Sequence, residues 1–475
     1  MWDVAGVRRA ATRSWNGVLS RIRVGGGTVA QTEVFYTALY HALLAPTVCG
    51  DVDGAYRGLD GRVHQARGYT PYTNISGWDI YRSQVQLLAL LAPRVASDLA
   101  QSLLVAAHEG GWLPRWLLAN QSLNEMVGDQ ADLIIADAYA FGARHFDARA
   151  ALRHMVIDAT RTGVGPGGYI ERLGLRDYLA LGYLPEDRQG LAGPVTVTLE
   201  YALADFAVSQ LAWGLHDPTT AAAFLQRAQN WRALYNPATG YIQPRWPDGT
   251  FRPTFDPATG WLYIEGNGAQ YTWMVPQDLR DLIAAMGGAG RVRARLDAFF
   301  AHLNAGPDAP YAYMGNEASY LVPWVYTWAG APWRTQAVVR QILTQLYDPG
   351  PGGLPGNDDL GALSAWYVWA ALGLYPAVPG TDILVLHGPL FPFVRVSVPG
   401  LRLFTIEGRG AAVDRPYVQS VALDGRRRTQ TWLPVSALRP GAVLHVVLGA
   451  VPNRGWGVAD ADAPPSFGAP ARSAT

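Results

Sequence analysis

The sequence predicts a mainly α-helical protein: an (α/α)6 barrel followed by a small C-terminal antiparallel β-sheet. Three observations carry this prediction. Hydrophobic residues recur with a helical period up to about residue 375. The loops between these helices alternate between segments rich in glycine, aromatic and polar residues and segments that are short and plain. From about residue 380 the sequence changes to short β-branched runs bounded by Gly or Pro, which are typical of strands.

The first 376 residues divide into a linker helix with its lead-in, over 1–34, and the barrel, over 35–376. Ordinary helix-start signals occur where Pro follows Asp217 and at Pro332. The hydrophobic period places twelve barrel helices near 35–45, 82–93, 95–108, 129–143, 147–162, 197–214, 219–235, 277–287, 292–304, 318–329, 334–346 and 361–373.

Every second helix is entered through a loop rich in Gly, aromatic residues, Asn and carboxylates. These loops cover 68–79, 110–129, 191–198, 261–276, 311–319 and 352–361. In an (α/α)6 barrel the inner helices run parallel, so their N-termini and the loops before them gather at one mouth, where a rigid scaffold holds functional side chains. The alternative is an irregular helical bundle whose loops differ by chance.

The C-terminal part is predicted to form a β subdomain over 377–458 and a disordered tail over 459–475. The expected strands are TDILVLHG, FVRVSVPG, LRLFTIEG, VQSVALDG and VLHVVLGA. The tail ADADAPPSFGAPARSAT is rich in Pro, Ala and Ser, a composition that buries little apolar surface.

Composition excludes several classes of function. Lys+Arg and Asp+Glu both number 38, and without a basic stripe we expect no nucleic-acid partner. Cys49 is the only cysteine, which excludes an intrachain disulfide and an iron–sulfur cluster. No apolar run is long enough for a membrane span, and the N-terminus lacks the core of a signal peptide. The compartment stays open, and a truncated N-terminus would be consistent with a secreted or periplasmic protein.

Carboxyl groups in two mouth loops are candidates for acid–base catalysis. Glu265 lies in YIEGNGAQYTW, where Trp261, Tyr263 and Tyr271 are expected to desolvate it partly and so favour a proton donor near neutrality. Asp358 and Asp359 in PGNDDLG precede an inner helix, whose N–H groups favour the ionised form expected of a base. An Asp before a helix is also a common cap, although one cap suffices.

Other mouth residues offer binding groups. Asn316 and Glu317 in MGNEAS supply hard oxygens suited to calcium, although Glu317 is equally explained as a sugar-hydroxyl acceptor or a helix-dipole partner. Trp78, Asp79 and Arg82 in GWDIYR combine a stacking face, an acceptor and a forked donor, with a helix-start ion pair as the alternative. A further candidate is the guanidinium of Arg115, between Pro114 and Trp116.

At these loops the sequence resembles glycoside hydrolase family 92, the exo-acting α-mannosidases. The matching strings span nearly the whole chain in the family's order, and as a set they are far more specific than a single motif. They are FYTALYHALLAP, SGWDIYRSQ, GGWLPRW, MVGDQADLIIADAY, TLEYALADF, EGNGAQYTW, GNEAS and LPGNDDLGALSAWYVWAALGLYP.

The resemblance implies a calcium-dependent hydrolase that removes terminal α-mannose with inversion, as in N-glycan degradation. It gives Glu265 the role of general acid, and it gives the base to Asp359 first and Asp358 second. Calcium is expected near Asn316 and Glu317. The residues implied at the substrate are Trp78, Asp79, Arg82, Arg115, Asn267 and Gln270.

The sequence departs from the family pattern in two ways. Met1 falls where the linker helix is expected, so the family's N-terminal β-sandwich is not in this sequence, and a separate β-sandwich is a candidate partner. The loop at 316–318 reads Asn-Glu-Ala where α-1,2-cleaving members carry His-Glu-Pro, so α-1,3, another linkage or a mannosyl phosphodiester stays open. The non-enzymatic alternative is a glycan-binding remnant or half of a split enzyme.

Overall fold

The computed structural model describes residues 3–188, 190–398 and 402–468. In these residues the α-helices, in chain order, are α1 Val4–Leu19, α2 Val29–Ala42, α3 Gly77–Ile80, α4 Gln84–Leu91, α5 Pro93–Gly110, α6 Gln130–Ala140, α7 Ala148–Asp158, α8 Leu175–Leu181, α9 Pro194–Gly214, α10 Pro218–Arg227, α11 Gly268–Tyr271, α12 Leu279–Ala285, α13 Ala289–Phe299, α14 Val322–Trp328, α15 Pro332–Gln345 and α16 Ala362–Leu372.

The strands are mostly short. They are β1 Ile22–Gly25, β2 Thr47–Val48, β3 Ala55–Arg57, β4 Val63–Gln65, β5 Tyr72–Thr73, β6 Ile75–Ser76, β7 Trp116–Leu118, β8 Gln121–Ser122, β9 Tyr235–Asn236, β10 Tyr241–Ile242, β11 Leu374–Tyr375, β12 Ile383–Leu386, β13 Phe393–Val398, β14 Arg402–Arg409, β15 Tyr417–Leu423, β16 Arg426–Arg428, β17 Trp432–Pro434 and β18 Val443–Gly449.

The barrel consists of an inner and an outer layer of helices, as the sequence predicts. Helices α4, α6, α9, α12, α14 and α16 form the inner layer, and each packs on an outer helix next to it in sequence. Every residue of α4, α14 and α16 is buried. A helix that is apolar on all sides belongs inside a protein, and this explains why these segments show little amphipathic periodicity.

Three predicted helices are interrupted, and the one expected at 318–329 is a 3-10 turn at Glu317–Ser319 followed by α14. The helix expected at 219–235 ends at Arg227 and is followed by a 3-10 turn at Asn230–Ala233, because the chain then enters the β9–β10 hairpin. The helix expected at 277–287 is a 3-10 turn at Pro276–Asp278 followed by α12. Short helical pieces therefore replace a continuous helix beside the Glu265 loop.

The C-terminal sheet is mixed rather than purely antiparallel. Its strand order is β1-β13-β14-β18-β15-β16, and the central β14–β18 pair is parallel. Strand β1, from the lead-in segment, pairs with β13 in the register Ile22↔Val396. Strand β12 instead joins β11 and β17 in a separate three-stranded sheet. The sequence of a single strand does not indicate which strand it pairs with or in which direction, because pairing is set by long-range topology.

The prediction of a disordered tail is wrong for residues 459–468. Phe467 packs its ring on Phe206 of α9 at 5.0 Å and accepts a hydrogen bond from Gln229 Nε2 at its carbonyl oxygen. Trp328 Nε1 donates to the carbonyl of Pro465, and a 3-10 turn forms at Asp460–Asp462. Residues 469–475 lie outside the described part of the chain. No helix among the described residues is long and apolar enough to cross a bilayer.

Candidate active site

The Glu265 loop is held by its backbone, and its carboxyl side chain is exposed. Glu265 has a φ of 50°, in the left-handed region that non-glycine residues adopt rarely and mostly at constrained sites. Thr196 Oγ1, in the first turn of α9, accepts a hydrogen bond from Ile264 N at 3.0 Å. Asn316 Nδ2 donates to the Glu265 carbonyl oxygen at 2.7 Å. These bonds fix the direction of the Glu265 side chain at the mouth of the barrel.

The expected desolvation of Glu265 by aromatic neighbours is wrong. Tyr263 and Tyr271 are buried below the loop, where their rings stack with centroids 5.7 Å apart. The Tyr271 hydroxyl donates to the carbonyl of Ile264 at 2.6 Å, and the Tyr263 hydroxyl donates to the carbonyl of Ile242 at 2.8 Å. Trp261 points to solvent with 61% of its surface exposed. The tyrosines therefore support the loop backbone and leave the carboxyl open.

Asp358 and Asp359 are adjacent in sequence but differ in their surroundings. Asp358 accepts hydrogen bonds from Ser364 N at 2.8 Å and from Ser364 Oγ at 2.9 Å, and its Oδ2 lies 3.6 Å from His41 Nδ1. It therefore satisfies the N–H of Ser364 in the first turn of α16, whose N-cap residue is Gly361. Asp359 begins a run of left-handed residues, with φ of 46°, 56° and 84° at Asp359, Leu360 and Gly361. This run turns the Asp359 side chain in a different direction from that of Asp358.

Gly361 makes this turn possible through close contact with α2. A Cβ at residue 361 would lie 2.6 Å from Ala42 Cα and 2.9 Å from the carbonyl oxygen of His41. Only glycine fits this approach, and its φ of 84° is also one that glycine adopts without steric cost.

Glu265 and Asp359 are close enough to interact electrostatically, although they are far apart in sequence. Burial raises the pKa of Asp359, and the negative charges of Glu265 and then Asp358 raise it further. Burial likewise raises the pKa of Tyr313, with contributions from Glu265, Glu317 and Asp359. The structure thus brings together the two carboxyl groups that the sequence analysis paired, and it adds Tyr313, which the sequence analysis did not select.

Three carboxylates form a cluster beside this pair. Oxygen atoms of Asp79, Glu317 and Asp359 lie within 4.8 Å of one another. Burial, with the charge of Asp359, raises the pKa of Asp79 to about 8, and burial with the charge of Asp79 raises the pKa of Glu317. Three like charges at this distance repel one another unless protons or a cation neutralise them.

The cluster fits a hard divalent cation. The Glu317 Oε1 atom accepts a hydrogen bond from the Tyr320 hydroxyl at 3.0 Å, whereas Glu317 Oε2 and Asp79 Oδ2 are buried without a hydrogen-bond partner among the described residues. Calcium takes carboxylate oxygens of this kind together with carbonyls, waters and hydroxyls. The sequence analysis selected Glu317 for calcium, but it gave Asp79 and Asp359 other roles because their convergence depends on the fold.

Arg82 is buried in an ion pair, but its partner is distant in sequence. Arg82 Nη2 lies 2.9 Å from Glu200 Oε1 on α9, and the guanidinium packs between the rings of Trp78 and Tyr81 at 4.7 and 4.6 Å. The alternative of a local ion pair with Asp79 is therefore wrong. Glu200 was missed, although a carboxylate within the mostly apolar run TVTLEYALA suggests a buried partner.

Three predicted substrate ligands are instead structural, which corrects their assignment. The guanidinium of Arg115 is buried and donates to the backbone carbonyls of Glu125 and Glu171. Asn267 caps α11 with its Oδ1 and donates from Nδ2 to the carbonyls of Pro307 and Ala309. Gln270 Nε2 donates to the carbonyls of Gly306 and Tyr311. These side chains have no exposed surface to offer a sugar, and they support the mouth loops from below.

Comparison with known proteins identifies the family of this chain. Residues 1–450 match the model of the glycosyl hydrolase family 92 catalytic domain. The chain belongs to glycoside hydrolase family 92. A family GH92 α-mannosidase from Bacteroides thetaiotaomicron superposes with a TM-score of 0.90 at 30% identity, over 97% of this chain and 61% of that one. A family GH92 inverting mannosidase from B. thetaiotaomicron VPI-5482 superposes with a TM-score of 0.90 at 31% identity, over 98% of this chain and 65% of that one.

A curated family relative is also similar in sequence. It is described as an uncharacterized secreted glycosidase of Arthroderma benhamiae, and it is 26% identical over 98% of this chain and 60% of its own length. The chain thus spans somewhat less than two thirds of these relatives. Family 92 membership supports a glycoside hydrolase, and the arrangement of helices is that of the family's α-barrel catalytic domain.

Proposed function

We propose that this chain is the catalytic part of an inverting, calcium-dependent exo-α-mannosidase. The observation that carries the proposal is the electrostatic proximity of exposed Glu265 to Asp359, beside the buried Asp79–Glu317 pair. Glycoside hydrolases pair one carboxyl that donates a proton with another that activates water. The family relatives described as α-mannosidase and as inverting mannosidase support mannose as the sugar and inversion as the outcome.

In this mechanism each carboxyl has one part. Glu265 protonates the leaving oxygen, and its exposure at the mouth gives a bulky leaving group access to it. Asp359 accepts the proton of the attacking water. Asp358 is the weaker candidate for the base, because both of its oxygens accept hydrogen bonds from Ser364. Trp78, expected as a stacking surface, is buried against the Arg82 guanidinium and has no exposed face for a sugar.

Asp79 and Glu317, each with a buried oxygen that lacks a hydrogen-bond partner among the described residues, would hold the calcium ion beside Asp359. When bound, calcium supplies a positive charge that neutralises these carboxylates and orients sugar hydroxyls. The Nδ2 atom of Asn316 links its loop to the Glu265 backbone, and its Oδ1 atom is the oxygen that would serve calcium.

Substitution of Glu265 tests the proposal. The variant Glu265→Gln should lose at least about a hundredfold in kcat/KM on methyl α-mannoside, whose leaving group needs protonation, but far less on α-mannosyl fluoride, whose leaving group does not. Initial rates on both substrates measure this difference, and proton NMR of the first-formed sugar shows whether the product is β-mannose. Glu33→Gln, an exposed carboxyl on α2, is the matched control. Full activity of Glu265→Gln on both substrates would refute the assigned role.

A further inference from the structure

A groove with an aromatic wall lies next to the Glu265 loop. It encloses about 360 Å³, at the lower end of the roughly 300–1000 Å³ of small-molecule pockets. The residues that carry the argument line it: Arg252, Phe255, Asp256, Trp261 and Tyr263. None of these residues belongs to the carboxylate cluster.

Trp261 presents an exposed ring at this groove. The other tryptophans of the described chain are buried or half-buried, but Trp261 is 61% exposed and Trp213, at the end of α9, is 69% exposed. An indole left in water forgoes the free energy of burial, and the face of an indole is a good surface for the C–H face of a sugar. Trp261 is four residues from Glu265, whereas Trp213 is in the last turn of α9, whose first turn holds the Glu265 loop.

Arg252 is fixed beside the Trp261 ring. Its Nε and Nη2 atoms lie 2.9 and 2.8 Å from Glu186 Oε1, and Glu186 is buried. The guanidinium carbon lies 5.0 Å from the Trp261 ring centroid and 5.4 Å from that of Trp246. An arginine held in this way keeps further N–H donors for a ligand hydroxyl at a low cost in side-chain entropy.

The charge of the groove favours a neutral ligand. The carboxylate of Glu186 offsets the positive charge of Arg252, and Asp256 adds a second negative charge at the rim. An anionic group such as a phosphodiester would meet net repulsion there, whereas hydroxyls can use both donors and acceptors.

The groove wall and the Glu265 loop are folded against each other. A Cβ at Gly260 would lie 2.8 Å from the carbonyl oxygen of Gly266, and one at Gly268 would lie 2.5 Å from Phe255 Cζ. Ala269 N donates to the carbonyl of Pro257 at 2.9 Å. The groove therefore adjoins the loop that carries Glu265.

We infer that this groove binds the leaving-group saccharide of the substrate, with Trp261 as its stacking surface and Arg252 as its hydroxyl donor. This inference rests on the proposed function. It makes Trp261 a specificity-determining residue for uncharged sugar leaving groups. It also predicts that the groove does not raise kcat/KM for substrates that lack a sugar in this position.

Rates on two kinds of substrate test the inference. Trp261→Ala should lower kcat/KM on α-linked mannobiosides about tenfold, while changing it less than twofold on α-mannosyl fluoride, which has no leaving-group sugar. Trp261→Phe should restore most of the loss, and Trp213→Ala, which removes an equally exposed indole, should leave both rates unchanged. Equal effects of Trp261→Ala on the two substrates, or none on either, overturn the inference.

Binding measurements distinguish a failure of this inference from a failure of the proposed function. In a Glu265→Gln background, calorimetric titration with methyl α-mannobiosides should give a Kd about tenfold higher when Trp261 is also replaced by Ala. Unchanged binding overturns the groove even in an active enzyme. Weakened binding in a protein that hydrolyses no α-mannoside supports the groove and refutes the hydrolase.

Discussion

The carboxylates of Asp79 and Glu317 each retain a buried oxygen without a hydrogen-bond partner among the described residues. Such an atom costs free energy in a folded protein unless a ligand or an ion satisfies it, which is why the cluster is the natural place for calcium. Asp358, with both oxygens bonded to Ser364, shows the opposite case of a carboxylate that the fold itself satisfies.

Calcium should therefore stabilise the protein. After treatment with EDTA, addition of calcium at about 100 times its Kd should raise the free energy of unfolding by about 2.7 kcal/mol, because the ion binds the folded state. Thermal unfolding with and without calcium measures this, and Glu317→Gln should abolish the shift. Asp414→Asn, an exposed carboxyl, serves as the control. A shift that persists in Glu317→Gln would exclude this cluster as the site.

Sequence reasoning selected several residues that the structure brings together, and it misjudged the surroundings of others for identifiable reasons. Glu265, Asp359 and Glu317 stand out because polar residues in glycine-rich loops have few structural partners nearby in sequence. The exposure of Glu265 could not be inferred, since Tyr263 and Tyr271 are its neighbours in the chain but lie beneath its backbone. The same limit applies to Asn267 and Gln270, whose acceptors at 306–311 belong to another loop.

The segment before α16 places Asp358, which bonds to the first turn of the helix, directly before Asp359, the proposed base. Asp358 holds the first turn through Ser364, and the left-handed run that follows directs Asp359 to the cluster. The helix itself was predictable from its apolar sequence, but the turn before it was not, because three consecutive left-handed residues have no signal beyond Gly361.

Substitutions of Asp358 and Asp359 should separate the stabilising role of the first residue from the proposed catalytic role of the second. Asp359→Asn should lower kcat on α-mannosyl fluoride at least about a hundredfold, because base catalysis is lost, without lowering stability. Asp358→Ala should cost about 1 kcal/mol of stability through the lost hydrogen bonds to Ser364. Urea unfolding and initial rates of both variants measure this division. The reverse result, with Asp358→Ala inactive but fully stable, would transfer the role of base to Asp358.

At the scale of the molecule, segments near both ends of the described chain pack against parts of the fold that are distant in sequence. Strand β1 enters the C-terminal sheet, and residues 460–467 run along the barrel to Phe206 of α9. The barrel and the strand-rich C-terminal part were predictable from local periodicity. These long-range contacts were not predictable, because the sequence APPSF does not indicate which surface the segment packs against.

His387, between the barrel and the sheets, should make stability depend on pH. Burial, with the charge of Arg340, lowers the pKa of His387 to about 3, so the folded protein keeps it neutral while the unfolded chain binds a proton below about 6.5. Its contribution to stability is therefore complete above about pH 6.5 and is lost as the pH falls toward 3. Between pH 7 and pH 5 this loss amounts to about 2 kcal/mol.

Substitution of His387 isolates this effect from that of the many buried carboxyls. His387→Leu should reduce the change in unfolding free energy between pH 7 and pH 5 by that amount, whatever its effect on stability at pH 7. Urea denaturation of both proteins at the two pH values gives the difference. An identical pH dependence in the two proteins would show that His387 titrates normally.

The contact between Gly361 and Ala42 also has a consequence for engineering. Chimeras that exchange segments between family members are often cut at loops, and a cut near residue 45 would appear harmless in this chain. Because the backbone of α2 abuts the turn that orients Asp359, the two segments have to be inherited from the same parent. Crossover libraries that combine these two segments from different parents should yield proteins whose barrels assemble. In these proteins the side chain of Asp359, the proposed base, should point in the wrong direction.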